Sequence, residues 1–183
     1  MKSALVLIDV QNDYFPGGRM ELEGSAEAIL QARRILEHFR GRGHPIVHVQ
    51  HISARPDAIF FLPGTDGVEI REEVRPGPGE TLFQKQYPNA FRDTGLLDHL
   101  KEERIERLII CGMMTHMCVD STVRAAFDYG FPCVLLRDAC ATRSLSQENA
   151  HIPAGLVHSA FIAALSSVFA RVLSVADFLN EAS

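Results

Sequence analysis

Aliphatic residues come in short unbroken runs, with helically spaced apolar residues between them. Ala4 to Ile8 is the first run, closed by Asp9. An unbroken apolar stretch that ends on a charge is the pattern of a central strand covered on both faces. A turn-rich stretch with Pro16, Gly17 and Gly18 follows. Ala26, Ile29, Leu30, Leu36 and Phe39 then recur at helical spacing, with Ser25 as N-cap and Gly41 as stop. Ile46 to Val49 predicts a second strand. Residues 53–80, with Pro56, Pro63, Pro76 and Pro78, read as long ordered loops of the kind that carry function in compact domains. Thr81 to Lys85 predicts a short strand closing on a charge, and 96–104 a helix.

Leu108 to Cys111 predicts another buried strand, and Gly112 to Thr115 a sharp connection into the strongest helix signal. There Val119, Thr122, Val123, Ala126 and Phe127 form one stripe, Gly130 ends it and Pro132 blocks continuation. Cys133 to Leu136 predicts a strand ending at Arg137-Asp138. A helix over 154–169 should bury Val157, Ala160, Phe161, Ala164, Leu165 and Val168. A short strand at Arg171 to Leu173 and a helical turn or two over 175–179 close the chain. Aliphatic strands alternating with helices argue for one doubly wound α/β domain over residues 1–183, without repeat or linker.

Composition narrows the function classes. Eighteen Lys and Arg against 23 Asp and Glu give a net charge of −5, with no basic run to suit a nucleic acid. The apolar runs are far too short to span a bilayer. The N-terminus has one Lys and turns acidic at Asp9, so no secretory signal is expected and a reducing cytoplasm is. The four cysteines, Cys111, Cys118, Cys133 and Cys140, are too sparse for a disulfide scaffold and form no CxxC pair. Cys111 and Cys133 read as core, and Cys140 as a packed loop residue.

Ligands of an open parallel sheet bind at the carboxyl ends of its strands. Asp9 ends the first strand, Lys85 ends the third, and Cys118 lies in the first turn of the helix after 108–111. An acid, a base and a thiol thus converge on one edge from three remote parts of the chain. A thiol is a poor nucleophile at its free pKa of about 8.5, and a helix N-terminus or a nearby cation lowers it. Both are expected at Cys118. Asp9 is placed to take the thiol proton, with Lys85 stabilising both charges. Each residue alone also has an ordinary explanation: a turn, a solvated surface or packing. His116 is two residues from Cys118 and cannot face it along a helix. His48 and His51, three apart on a strand, point to opposite faces and make a poor metal pair. His44, His99, His151 and His158 read as surface or loop histidines. No GxGxxG, P-loop, HExxH or GxSxG is present.

Three segments carry a resemblance: LVLIDVQNDYF at 5–15, Lys85 with YPNAF at 87–91, and GMMTHMCVDSTVRAA at 112–126. Through them the chain resembles the isochorismatase-like cysteine hydrolases from residue 4 to about 173. The resemblance implies a Rossmann-like three-layer α-β-α fold around a mostly parallel sheet. It implies a catalytic triad of Asp9, Lys85 and Cys118, and a cis peptide at Met113–Met114. It implies an oxyanion hole from the Met114 and Cys118 N–H groups, a small-molecule substrate and a homodimer or homotetramer. The thiol favours C–N hydrolysis through a thioester over the thiol-free cleavage of a vinyl ether, which is the alternative reading. A non-catalytic binding module with the same fold is a second alternative. Nicotinamidases of this family carry an Asp-x-His metal motif after the second strand. Here the segment reads HVQHIS at 48–53, so no metal or other cofactor is expected. Tyr14, Phe60 and Phe91, from loops near the site, are the expected walls for a planar or apolar acyl group.

Overall fold

The computed structural model describes residues 1–181. Six parallel strands form the central sheet in the order β3-β2-β1-β4-β5-β8. They are β1 (Ser3–Ile8), β2 (Ile46–His51), β3 (Thr81–Lys85), β4 (Arg107–Met113), β5 (Cys133–Ala141) and β8 (Arg171–Leu173). The chain winds outward from β1 to β2 and β3, then returns to β4 on the other side of β1. α1 (Ser25–Gly41) joins β1 to β2 and α3 (Asp120–Asp128) joins β4 to β5 in the opposite direction, so the right-handed rule for parallel crossovers puts them on opposite faces. β1 and β4, at the point where the order reverses, are buried almost throughout, because helices cover both their faces.

α1 buries Ala28, Ile29, Ala32, Ile35, Leu36 and Phe39 against the sheet. Each large aliphatic side chain so buried contributes about 1.5–3 kcal/mol. Leu30, expected on this stripe, lies 63% exposed, one position round the helix from the buried face. Ser25 is not the cap: Gly24 takes that place in a left-handed conformation, and the Ser25 hydroxyl donates to the Leu22 carbonyl. α5 (Val175–Glu181) sits beside α1, with Phe178 stacked on Phe39.

β5 runs past Arg137-Asp138 to Ala141, so Cys140 is a strand residue paired with Gly112, not a loop residue. The polar pair marks a register shift, where Asp138 turns out to accept the Val175 N–H at 2.8 Å and caps α5. A small hairpin not foreseen, β6 (Leu145–Gln147) with β7 (Ala150–Ile152), follows. α2 (Leu96–Glu102) ends two residues early. α4 (Ala154–Val168) buries only Ala154, Val157 and Leu165. Its expected core residues Ala160, Ala164 and Val168 face outward, and Leu156 and Val168 are 63% and 62% exposed. This helix covers the sheet with a narrow stripe and leaves the rest of its apolar surface bare.

The loops over 53–80 hold two short 3-10 turns and a bridge from Ile70 to Gln11. Their far end is pinned by Glu80. It accepts from Arg40 Nε at 2.6 Å, from His48 Nε2 at 2.7 Å and from the Gly77 N–H at 2.8 Å. Burial alone would raise the Glu80 carboxyl, but these three donors outweigh it and hold it at about 2, against an ordinary 4.5. Burial likewise lowers His48, which stays neutral. Arg40 is one-third exposed, so solvent screens that pair, and Glu80→Gln should cost about 2 kcal/mol at pH 7. The sign is fixed by both groups. The Glu80 contribution is complete above pH 4.5 and fades as pH falls towards 2, and protonation of His48 in the unfolded chain adds a loss below 6.5. Urea unfolding at pH 7, 5 and 3 should show the wild type and Glu80→Gln converging in stability at the lowest pH.

Candidate functional site

Four side chains meet where β1, β2 and β3 end and where the chain leaves β4. Asp9 follows β1 with φ of +51°, a left-handed conformation rarely taken by a residue with a side chain. Lys85, the last residue of β3, places Nζ 2.6 Å from Asp9 Oδ2, and both side chains are 0% exposed. Burial works against the Lys85 charge, but Asp9 and the Cys118 sulfur outweigh it and hold the ammonium above its ordinary pKa. Cys118 lies in a π-helical turn, Thr115–Val119, that precedes α3. Gly112 makes this approach possible: its φ is +132°, and any Cβ there would run into the Ile8 carbonyl. The Met113–Met114 peptide is cis.

The fourth side chain is His51, which sequence reasoning set aside. It is the last residue of β2, paired in register with Lys85, and its Nδ1 lies 2.9 Å from Lys85 Nζ. Burial first, and then the Lys85 charge, lower His51 to about 4, so the ring is neutral near pH 7. The signal was available: like Asp9 and Lys85, His51 is a polar residue at the carboxyl end of a buried strand. The rule that sent His48 and His51 to opposite faces holds, for His48 turns to Glu80 and His51 to the site.

One carboxylate oxygen of Asp9, one imidazole nitrogen of His51 and the Cys118 Sγ lie within 4.8 Å of one another. That spacing suits a single cation, and the Lys85 ammonium is the cation the chain supplies to them. Asp9 Oδ1 is buried and has no hydrogen-bond partner, a state shared among the described residues only by Gln31 Oε1. Burial, and then the negative Asp9, push the Cys118 thiol well above its ordinary pKa, with Lys85 pulling the other way. The expected lowering of the thiol pKa is therefore reversed, because desolvation exceeds the help from one ammonium, and the proton that Asp9 is placed to take stays on sulfur.

A cavity of about 330 Å³ opens over Cys118. Tyr14 and Phe60 line it as expected, with Met20, Ile59, Met114 and Met117 among the other walls. Phe91 does not. The Ala90 N–H is tied to the Thr122 hydroxyl at 3.0 Å, which carries the turn toward α3, and the Phe91 ring packs edge-on against Tyr129 at 5.2 Å. Phe60 is placed by its neighbour: Asp13 Oδ2 accepts the Phe61 N–H at 2.6 Å, and Gly67 leaves the space that the carboxylate fills. His116 contacts the Thr142 hydroxyl and the Phe161 ring, away from the sulfur. Among the described residues no helix is long and apolar enough to cross a membrane.

Residues 3–177 match the isochorismatase domain. The chain belongs to that family of hydrolases. An uncharacterized isochorismatase family protein of Bacillus subtilis strain 168, YddQ, is 49% identical over 98% of this chain and all of its own length. A crystal structure of an isochorismatase from Pseudomonas putida KT2440 superposes with a TM-score of 0.89 at 36% identity, covering 96% of this chain and 89% of that one. The N-carbamoylsarcosine amidase of Thermoplasma acidophilum superposes at 0.81 with 26% identity, covering 96% and 97%. The shared family accounts for the parallel sheet read from the aliphatic runs.

Proposed function

We propose that this isochorismatase-family hydrolase cleaves the C–N bond of a small amide or N-carbamoyl compound through a thioester on Cys118. The observation that carries this reading is the buried Asp9 carboxylate, its Oδ1 without a hydrogen-bond partner, close beside a thiol whose pKa burial raises. A buried carboxylate within reach of a thiol is a ready base. Cys118 Sγ attacks the carbonyl carbon while Asp9 takes the thiol proton, and the carbonyl becomes an oxyanion held by the Met114 and Cys118 N–H groups. Collapse breaks the C–N bond, and Asp9 passes its proton to the departing nitrogen. Water then attacks the thioester, Asp9 takes a water proton, and the C–S bond breaks with return of that proton to sulfur. Lys85 keeps its charge throughout and offsets whichever anion is present. The N-carbamoylsarcosine amidase among the similar structures supports the C–N assignment.

Tyr14, Phe60, Met20 and Met117 favour a substrate with a flat or apolar body. An ammonia-release screen across primary amides and N-carbamoyl compounds, run beside an isochorismate assay, tests the reading. Turnover of at least one amide is expected. Activity on isochorismate alone, retained after loss of the thiol, would favour the vinyl-ether alternative and end this one. The bare apolar surface of α4 supports assembly into a homodimer or homotetramer, which light scattering would register as a multiple of the 20.3 kDa chain.

A further inference from the structure

His51 has no part in the steps above, yet it is held more firmly than a filler residue needs. One side chain grips its backbone at both ends. Gln11 Oε1 accepts the His51 N–H at 2.8 Å, and Gln11 Nε2 donates to the His51 carbonyl at 2.9 Å. The same amide also donates to the Val68 carbonyl at 2.7 Å, which locks it in turn. The ring faces Lys85 through Nδ1. An ammonium has only protons to give, so Nδ1 accepts and the ring proton is on Nε2.

Lys85 Nζ carries three N–H groups. One goes to Asp9 Oδ2 at 2.6 Å and one to His51 Nδ1 at 2.9 Å. With those two fixed, tetrahedral geometry aims the third, and the Cys118 sulfur lies within 4.8 Å of an oxygen and a nitrogen of these same two side chains and in reach of the ammonium. We infer that His51 is a positioning residue: by accepting one proton of the Lys85 ammonium it turns another toward the Cys118 sulfur, where the thiolate forms. This rests on Cys118 being the nucleophile. The residue type fits the task. A carboxylate at 51 would draw the ammonium off the sulfur and set a second negative charge beside Asp9. A neutral imidazole orients the ammonium without cancelling its charge.

The test needs no substrate. Cys118 is alkylated with iodoacetamide from pH 6 to 10 and followed by peptide mass, which separates it from Cys111, Cys133 and Cys140. Three variants are compared with the wild type. His51→Asn keeps an acceptor oxygen near the place of Nδ1. His51→Leu keeps the volume without an acceptor. His51→Gln carries its amide to the place of Nε2 instead. The charged or titratable groups around the sulfur, Asp9 just after β1, Lys85 from β3, Tyr14 from the turn after β1, and Arg55 and Asp57 on the cavity wall, are unchanged in all three. At pH 8, His51→Leu and His51→Gln should alkylate about tenfold more slowly, with rate profiles displaced upward by about one pH unit. His51→Asn should stay within about threefold of wild type. Wild-type rates and profile in His51→Leu would overturn the inference, as would equal slowing in the Asn and Gln variants with unaltered circular dichroism. If His51→Leu does not fold, the Asn-to-Gln comparison decides alone. A failed amide screen would count against the amidase reading and leave the alkylation result standing.

Discussion

Cys118→Ala should lower turnover of the amide found by the screen by at least about 10⁴-fold, because the acylation step has no other nucleophile. The fold should survive. The sulfur is buried at a cavity edge and holds no strand or helix in place, so its loss should shift the melting temperature by no more than about 4 °C. Intact-mass spectra of the wild type with a slow amide should show an added acyl mass that the variant lacks. The measurement separates two mechanisms. If Asp9 acted as an acid on a vinyl ether, as in the alternative reading, the thiol would be a bystander and Cys118→Ala would keep most of its activity. A variant within tenfold of wild type would therefore remove the covalent scheme and leave the site to Asp9.

Much of the site was legible in sequence because strand ends are. A buried aliphatic run has one direction and one end, so Asp9 and Lys85 could be placed on the same edge before any coordinates. The third strand end, His51, was misjudged because it was weighed against His48 as a metal pair and not against its cross-strand neighbour Lys85. Pair register depends on strand order, and that β2 lies between β1 and β3 is a tertiary fact. The same limit explains Phe91. Its placement depends on the Ala90 to Thr122 hydrogen bond, 32 residues apart, which no local pattern encodes. The direction of the Cys118 pKa shift differs from expectation for another reason. A helix end and a cation near Cys118 are legible in sequence, but the depth of burial of the residue is not, and desolvation is the larger effect. In α4, apolar periodicity gave the helix correctly and the buried face too widely. Periodicity reports what avoids water, whether the cover is this chain or another surface.

Lys85→Met should be as damaging to activity as loss of the thiol, and far more damaging to stability. Removing one member of a fully buried ion pair strands the other, at a cost of about 3–5 kcal/mol. For a chain of this size that corresponds to a fall of about 10 °C in melting temperature. Asp9 Oδ1 already lacks a donor, so the variant would leave the whole carboxylate unsolvated. Adding Asp9→Asn removes the stranded charge and should return at least about 2 kcal/mol in urea unfolding, while turnover stays abolished. That split is the informative outcome, because it assigns the pair to chemistry and not to holding the sheet together. Stability lost equally in the single and double variants would mean that the Lys85 side chain supports the strand end by packing.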